Sequence, residues 1–309
     1  MSGKTFFITG ANSGFGFAIA AAALRQGHKV VGTVRSEPSR ASLLERLPAA
    51  WPVLCDVTEF DRIADVVRQA EEDHGPVDVL INNAGYGQEG ILEETPLDEM
   101  RRQFDVNVFG AVAVAKAFLP RFRQRRRGFI VNVTSMGGMI TMPGIASYCG
   151  SKFALQGISE VMRAEMAPFG VHVTALCPGS FRTDWAGRSM IRTARSIADY
   201  DALFDPIRQA RQAKSGRQPG DPSKLAAAVL ALIASDTPPP QRVLRSSSLS
   251  SRPLPHDPLS AGMRGRGPSV SARRGRTITI DPQSGSIPVR GSSMPAPAEP
   301  ARGVRSIPW

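Results

Sequence analysis

In the stretch "SYCGSKFAL", Ser147 to Leu155, a tyrosine and a lysine stand four positions apart. On a helix, positions i and i+4 share one face, so Tyr148 and Lys152 would point the same way. An ammonium beside a phenol favours the phenolate, and Lys152 is expected to lower the Tyr148 pKa from its ordinary value of about 10. Such a pair can give and take a proton near neutral pH. The same spacing also suits two surface neighbours, so other residues have to decide. "NVTS" ends at Ser135, thirteen residues before Tyr148. A hydroxyl there could donate a hydrogen bond to a carbonyl oxygen on which charge develops. A serine nucleophile is the competing reading. No GxSxG elbow surrounds Ser135, and His28, His74, His172 and His256 lie in unhelpful contexts, so hydrolysis is not expected.

These side chains need a scaffold that brings residues far apart in the chain to one edge. Residues 1 to 180 alternate short β-rich apolar runs ("KTFFITG", "KVVGTVR", "WPVLCDVT", "DVLINNAG", "GFIVNVTS", "VHVTALCPG") with segments of helical period. Six strands with helices between them read as βα units, and the continuous apolar runs suit parallel strands buried on both faces. The expected fold is therefore α/β, a Rossmann-type doubly wound parallel sheet in a single domain over residues 1–235. Gly10, Gly14 and Gly16 in "ITGANSGFG" fall where the first strand turns into the first helix. Glycines permit a sharp turn and close approach to a pyrophosphate, and the helix N-terminus offers free N–H groups to it. The spacing is GxxxGxG rather than GxGxxG. After the second strand stands Arg35, where an acid would select the adenosine 2′-hydroxyl. A guanidinium favours a 2′-phosphate instead, so NADP(H) is expected, with NAD as the other nicotinamide cofactor such a site takes. "CDVT" puts Asp56 at the end of the third strand and "NNAG" puts Asn82 to Gly85 at the end of the fourth, the rim where open α/β sheets bind ligands.

Composition excludes several other classes. With 42% apolar residues in 309, the chain can bury a substantial core. Cys55, Cys149 and Cys177 are odd in number and scattered, which argues against a disulfide framework or a metal site and fits a reducing, cytoplasmic location. The start runs straight into a strand pattern, so no signal peptide is expected, and "LAAAVLALIA" is too short to span a membrane. The net charge of +11 raises the question of nucleic acid, but eleven of the 38 basic residues and only four of the 27 acids lie after residue 235. The excess sits largely in the tail, and no nucleic-acid partner is expected. Residues 236–309 hold 13 Pro and 13 Ser with no Lys and no lasting period, which reads as a mostly disordered tail or a translated shifted frame.

The set of motifs resembles the short-chain dehydrogenase/reductase family in its single-domain form, with TGxxxGxG and YxxxK signatures, from about Lys4 to Ala234. That resemblance implies a hydride transfer between a nicotinamide cofactor and a small-molecule carbonyl or secondary alcohol. It implies Tyr148 as general acid/base, Lys152 lowering its pKa and holding the nicotinamide ribose, and Ser135 polarising the substrate. Asn107 would support a water-linked proton relay. The glycine turn with Asn12 and Ser13 would carry the pyrophosphate, and Asp56 would sit near the adenine. Asn82, Ala84, Gly85, Pro178 and Gly179 would make further cofactor contacts, and Thr183 would meet the carboxamide. Family members pair through the helices holding Asn107 and Tyr148, which implies a homodimer or homotetramer. A nucleotide-binding sensor with this fold and little turnover is the alternative. The family closes its sheet with a seventh strand, of which "QRVLR" resembles the start.

Overall fold

The protein is described by a computed structural model over residues 3–244. Its elements in order are β1 (Thr5–Ile8), α1 (Gly14–Arg25), β2 (Lys29–Val34), α2 (Glu37–Arg46), β3 (Trp51–Leu54), α3 (Phe60–His74), β4 (Val79–Asn82) and β5 (Gly87–Glu89). There follow α4 (Leu97–Phe104), α5 (Ala111–Arg125), β6 (Gly128–Val133), α6 (Ala146–Met166), β7 (Val171–Pro178) and β8 (Met190–Arg192). The last are α7 (Asp201–Ala213), α8 (Pro222–Ile233) and β9 (Gln241–Leu244).

Seven parallel strands form the main sheet in the order β3-β2-β1-β4-β6-β7-β9. The chain winds outward one way from β1 through β3, then reverses from β4 onward, so the direction changes between β1 and β4. This is the doubly wound α/β sheet expected from the six apolar runs. Alternation within a strand divides the core into two layers. Phe6 and Ile8 face one side, with Ile19 of α1 and Leu225 and Val229 of α8, while Phe7 faces the other with Val114, Phe118 and Phe122 of α5. Burial of this many large side chains, each contributing about 1.5–3 kcal/mol, holds the rim rigid enough to position chemistry.

Two features extend the six-strand pattern. The seventh strand whose start "QRVLR" resembles is present as β9, paired in register with Ala175 to Pro178 and lying beyond the domain end placed at residue 235. A second sheet pairs β5 with β8, residues roughly a hundred positions apart. At the opposite margin β3 pairs only with β2 among the described residues. Cys55 donates its N–H inward to Val34 O at 2.9 Å, so by the two-residue alternation Pro52 turns its nitrogen outward. A proline on the outer side of an edge strand costs no ladder bond. Residues 245–309, which hold most of the expected disordered tail, lie outside the described residues.

Candidate active site

The site is assembled at the carboxyl ends of β1, β4, β6 and β7. At the first of these, Gly10 and Gly14 adopt left-handed backbone conformations, with φ of +67° and +54°. A Cβ on Gly16 would overlap the Gly10 carbonyl oxygen, so the turn closes on itself only with glycine there. Ser13 begins α1 without bonding its side chain back to the helix, and the first turn holds no acid. The free N–H groups therefore meet an anion without competition, which is the cradle a pyrophosphate requires.

The neighbouring loops are joined by hydrogen bonds. Thr9 Oγ1 accepts from the backbone N–H groups of Asn83 and Ala84, each at 2.9 Å, and Asn83 Nδ2 donates to Thr9 O and Gly10 O. Asn82 lies deeper, donating to Asn132 Oδ1 at 2.9 Å and Ala111 O at 3.0 Å. It therefore fixes β4 against β6 and α5 and does not face the cavity. Ser135 follows β6 in extended conformation, its Oγ accepting from Gly137 N at 2.9 Å. Tyr148 lies in the first turn of α6 and Lys152 one turn later, where Lys152 Nζ donates to Val133 O at 2.8 Å. Trp185 leans on the Tyr148 ring, their centroids 4.9 Å apart.

Asn107 sits in a π-helical turn, Asp105–Gly110, between α4 and α5. Its Oδ1 accepts from Tyr86 N at 3.1 Å, and its Nδ2 donates to Tyr86 O and Ser151 Oγ, both at 3.1 Å. Wider turns of this kind concentrate at functional sites. A Cβ on Gly85 would come to 2.9 Å from Asn107 Oδ1 and 3.6 Å from Lys152 Nζ, so this glycine keeps the amide and the lysine close together.

One cavity of about 1090 Å³ joins these groups. Gly10, Asn12, Ser13, Gly14, Arg35, Asp56, Ala84, Gly85, Ser135, Tyr148, Lys152, Pro178, Gly179 and Thr183 all line it. Gly16, Asn82 and Asn107 do not, and they instead brace the residues that do. Asp56 Oδ1 is taken by Thr58, from its N–H at 2.9 Å and its hydroxyl at 2.7 Å. Arg35 is exposed and has no carboxylate within ion-pair distance among the described residues.

The profile described as short chain dehydrogenase matches residues 4–192. Oxidoreductase BOA17 of Botryotinia fuckeliana is 38% identical over 238 residues, spanning 76% of this chain and 86% of its own. The chain belongs to the short-chain dehydrogenase family. Among solved structures, a short-chain dehydrogenase from Streptomyces avermitilis is similar with a TM-score of 0.73 at 38% identity, over 79% of this chain and 88% of that one. A gluconate 5-dehydrogenase from Burkholderia cenocepacia in complex with NADP and tartrate is similar with a TM-score of 0.65 at 28% identity, over 79% and 94%. As a member of the family, this dehydrogenase is an NAD(P)-dependent oxidoreductase.

The electrostatics of the dehydrogenase correct one expectation. Burial pushes the Tyr148 phenol up to about 12, and the Ser135 hydroxyl beside it offsets only part of that rise. Burial also brings Lys152 down to about 8. Lys152 Nζ lies 5.9 Å from the Tyr148 ring centroid and spends a hydrogen bond on Val133, so in the protein by itself desolvation outweighs any attraction between ammonium and phenolate. The Tyr148 phenol is thus protonated at neutral pH rather than a phenolate.

Several wall residues were not anticipated from the sequence. Trp185, Met142 and Ile145 form apolar wall beside Tyr148, and Ile207, Ala210, Arg211 and Lys214 form another side. The last four follow the i, i+3, i+4, i+7 spacing of one helical face, a signal present in the sequence but masked by the charged residues around it.

Proposed function

We propose that the protein is an NADP(H)-preferring oxidoreductase that interconverts a carbonyl and a secondary alcohol, with Tyr148 as the proton donor and acceptor. The observation that carries this reading is the convergence of Ser135, Tyr148 and Lys152 on the cavity that also contains the glycine cradle. Gly10, Asn12, Ser13 and Gly14 would hold the pyrophosphate, Arg35 the 2′-phosphate, Asp56 the adenine end, and Thr183 the carboxamide. The bound nicotinamide supplies or accepts the hydride. Ser135 donates a hydrogen bond to the substrate oxygen and stabilises the charge that builds there. Tyr148, protonated below about pH 12, gives its phenolic proton to that oxygen during reduction and recovers it during oxidation. Lys152 would hold the ribose hydroxyls and, while charged, would favour proton loss from Tyr148. Asn107, bonded to the Tyr86 backbone and Ser151, positions the lysine side of the site.

Tyr148→Phe keeps the ring and removes the proton. It is expected to lower turnover of ketones at least about 10³-fold, within the range general acid catalysis contributes. NADPH affinity, read by the cofactor's fluorescence, should change by less than about threefold. Retained turnover would refute the assignment of Tyr148.

A further inference from the structure

Glu89, at the end of β5, is fully buried, and among the described residues it is the one carboxylate within ion-pair distance of three guanidiniums. Arg192 Nε lies 2.9 Å from it and Arg208 Nε 3.8 Å, and Arg211 bonds its other oxygen. The three arginine side chains are 22%, 23% and 13% exposed. One negative charge thus faces three positive charges in a poorly hydrated region, and buried charge without a counterpart is costly. The surplus opens onto the cavity. Arg211 and, one turn further, Lys214 line its wall, and Lys214 has no carboxylate partner among the described residues. Arg211 donates to Glu89 and to Pro143 O at 3.3 Å, which leaves other N–H groups of its fork unused.

The acids of α7 lie at its other end. Asp201 and Asp205 pair with Arg195 and are not part of the cavity wall. Asp184, which is, pairs with Arg188 at 2.7 Å. Around Tyr148 the wall is apolar, formed by Met142, Ile145 and Trp185. A ligand spanning the substrate end therefore meets apolar surface beside the reacting group and unbalanced positive charge along α7.

We propose that the substrate is a carbonyl compound with an apolar skeleton that also carries an anionic group, a carboxylate or a phosphate, held by Arg211 and Lys214. This rests on the reading of the site as a carbonyl/alcohol oxidoreductase. Basic residues near a helix C-terminus also complement the helix dipole. That role alone would produce no preference between charged and neutral substrates.

The test compares straight-chain keto acids of graded length, the matching keto-alkyl phosphates and the matching keto amides, each assayed with NADPH. The anion is expected to raise kcat/KM over the amide at least about tenfold. Lys214→Glu, at an exposed position outside the Glu89 cluster, should cut that ratio at least about tenfold, chiefly through KM. Preference for acid or phosphate identifies which anion is read. Equal kcat/KM for acid and amide in the unaltered protein, or a ratio that Lys214→Glu leaves in place, overturns the inference while the oxidoreductase reading stands. Weaker NADPH binding in Lys214→Glu with the ratio intact also overturns it, because the charge would then serve the cofactor. Calorimetry of the keto acid with the NADPH-loaded protein gives a second readout. If no ketone is turned over, carboxylate binding that is lost in Lys214→Glu supports the anion site while the activity reading fails, and absence of binding overturns both.

Discussion

Tyr148 and Lys152 occupy the same face of α6, and in the protein by itself desolvation moves both groups more than their mutual attraction does. A phenol held near 12 stays protonated across the neutral range, which suits reduction, whereas oxidation needs the phenolate and should speed up as pH rises. Lys152, held near 8, carries its charge below that value and loses it above. Reduction at saturating NADPH is therefore expected to stay level below about pH 8 and to fall above it, while alcohol oxidation climbs. Initial rates in both directions across this range check the assignment. A reduction rate that stays level well above pH 8 would show that Lys152 keeps its proton in the loaded enzyme. Arg35 makes a separate claim about the cofactor. Arg35→Asp repels a 2′-phosphate, so the NADPH-over-NADH ratio of kcat/KM should fall at least about tenfold, and an unchanged ratio would mean other wall residues read the phosphate. The residue types and spacings of Ser135, Tyr148 and Lys152 were legible in the sequence. Their protonation was not, because spacing carries no information on how thoroughly a group is removed from water.

Helices and strands differ in how openly the sequence announces them. Six of the seven strands of the main sheet were readable because each carries a run of apolar residues, unbroken and buried in the central strands β1 and β4 and only half-buried in the edge strand β3. The π-helical turn at Asp105–Gly110 was not, since "VNVFGAVAV" keeps a helical pattern straight through the widened turn that places Asn107. Nor was α7, which buries only Phe204 and holds Pro206 inside it, leaving little apolar periodicity to find. Strands β5 and β8, "GQE" and "MIR", are three residues each and acquire strand geometry only from one another. The junction of α7 with the loop before α6 depends on Gly144. Its φ is +77°, and a Cβ there would overlap the Phe204 ring. Gly144→Ala combines backbone strain with overpacking and is expected to cost about 2–4 kcal/mol in urea unfolding. A loss under about 0.5 kcal/mol would show that α7 shifts freely on the loop.

For the whole molecule, the sheet is complete only with β9. Gly179 N donates to Leu244 O at 2.9 Å, directly after Pro178, which lines the cavity. A chain ending at Ser235 would expose the β7 margin and should melt at least roughly 4–8 °C below the full chain, as expected for a loss of about 2 kcal/mol in a domain of this size. Equal melting temperatures would show that β9 adds nothing to stability. The two margins of the sheet are not alike. At β3 the outward row of backbone donors is interrupted by Pro52, so a foreign strand laid alongside would find a gap in the ladder it tries to extend. That flank of the enzyme is thereby guarded against growing, copy upon copy, into a continuous cross-chain ribbon.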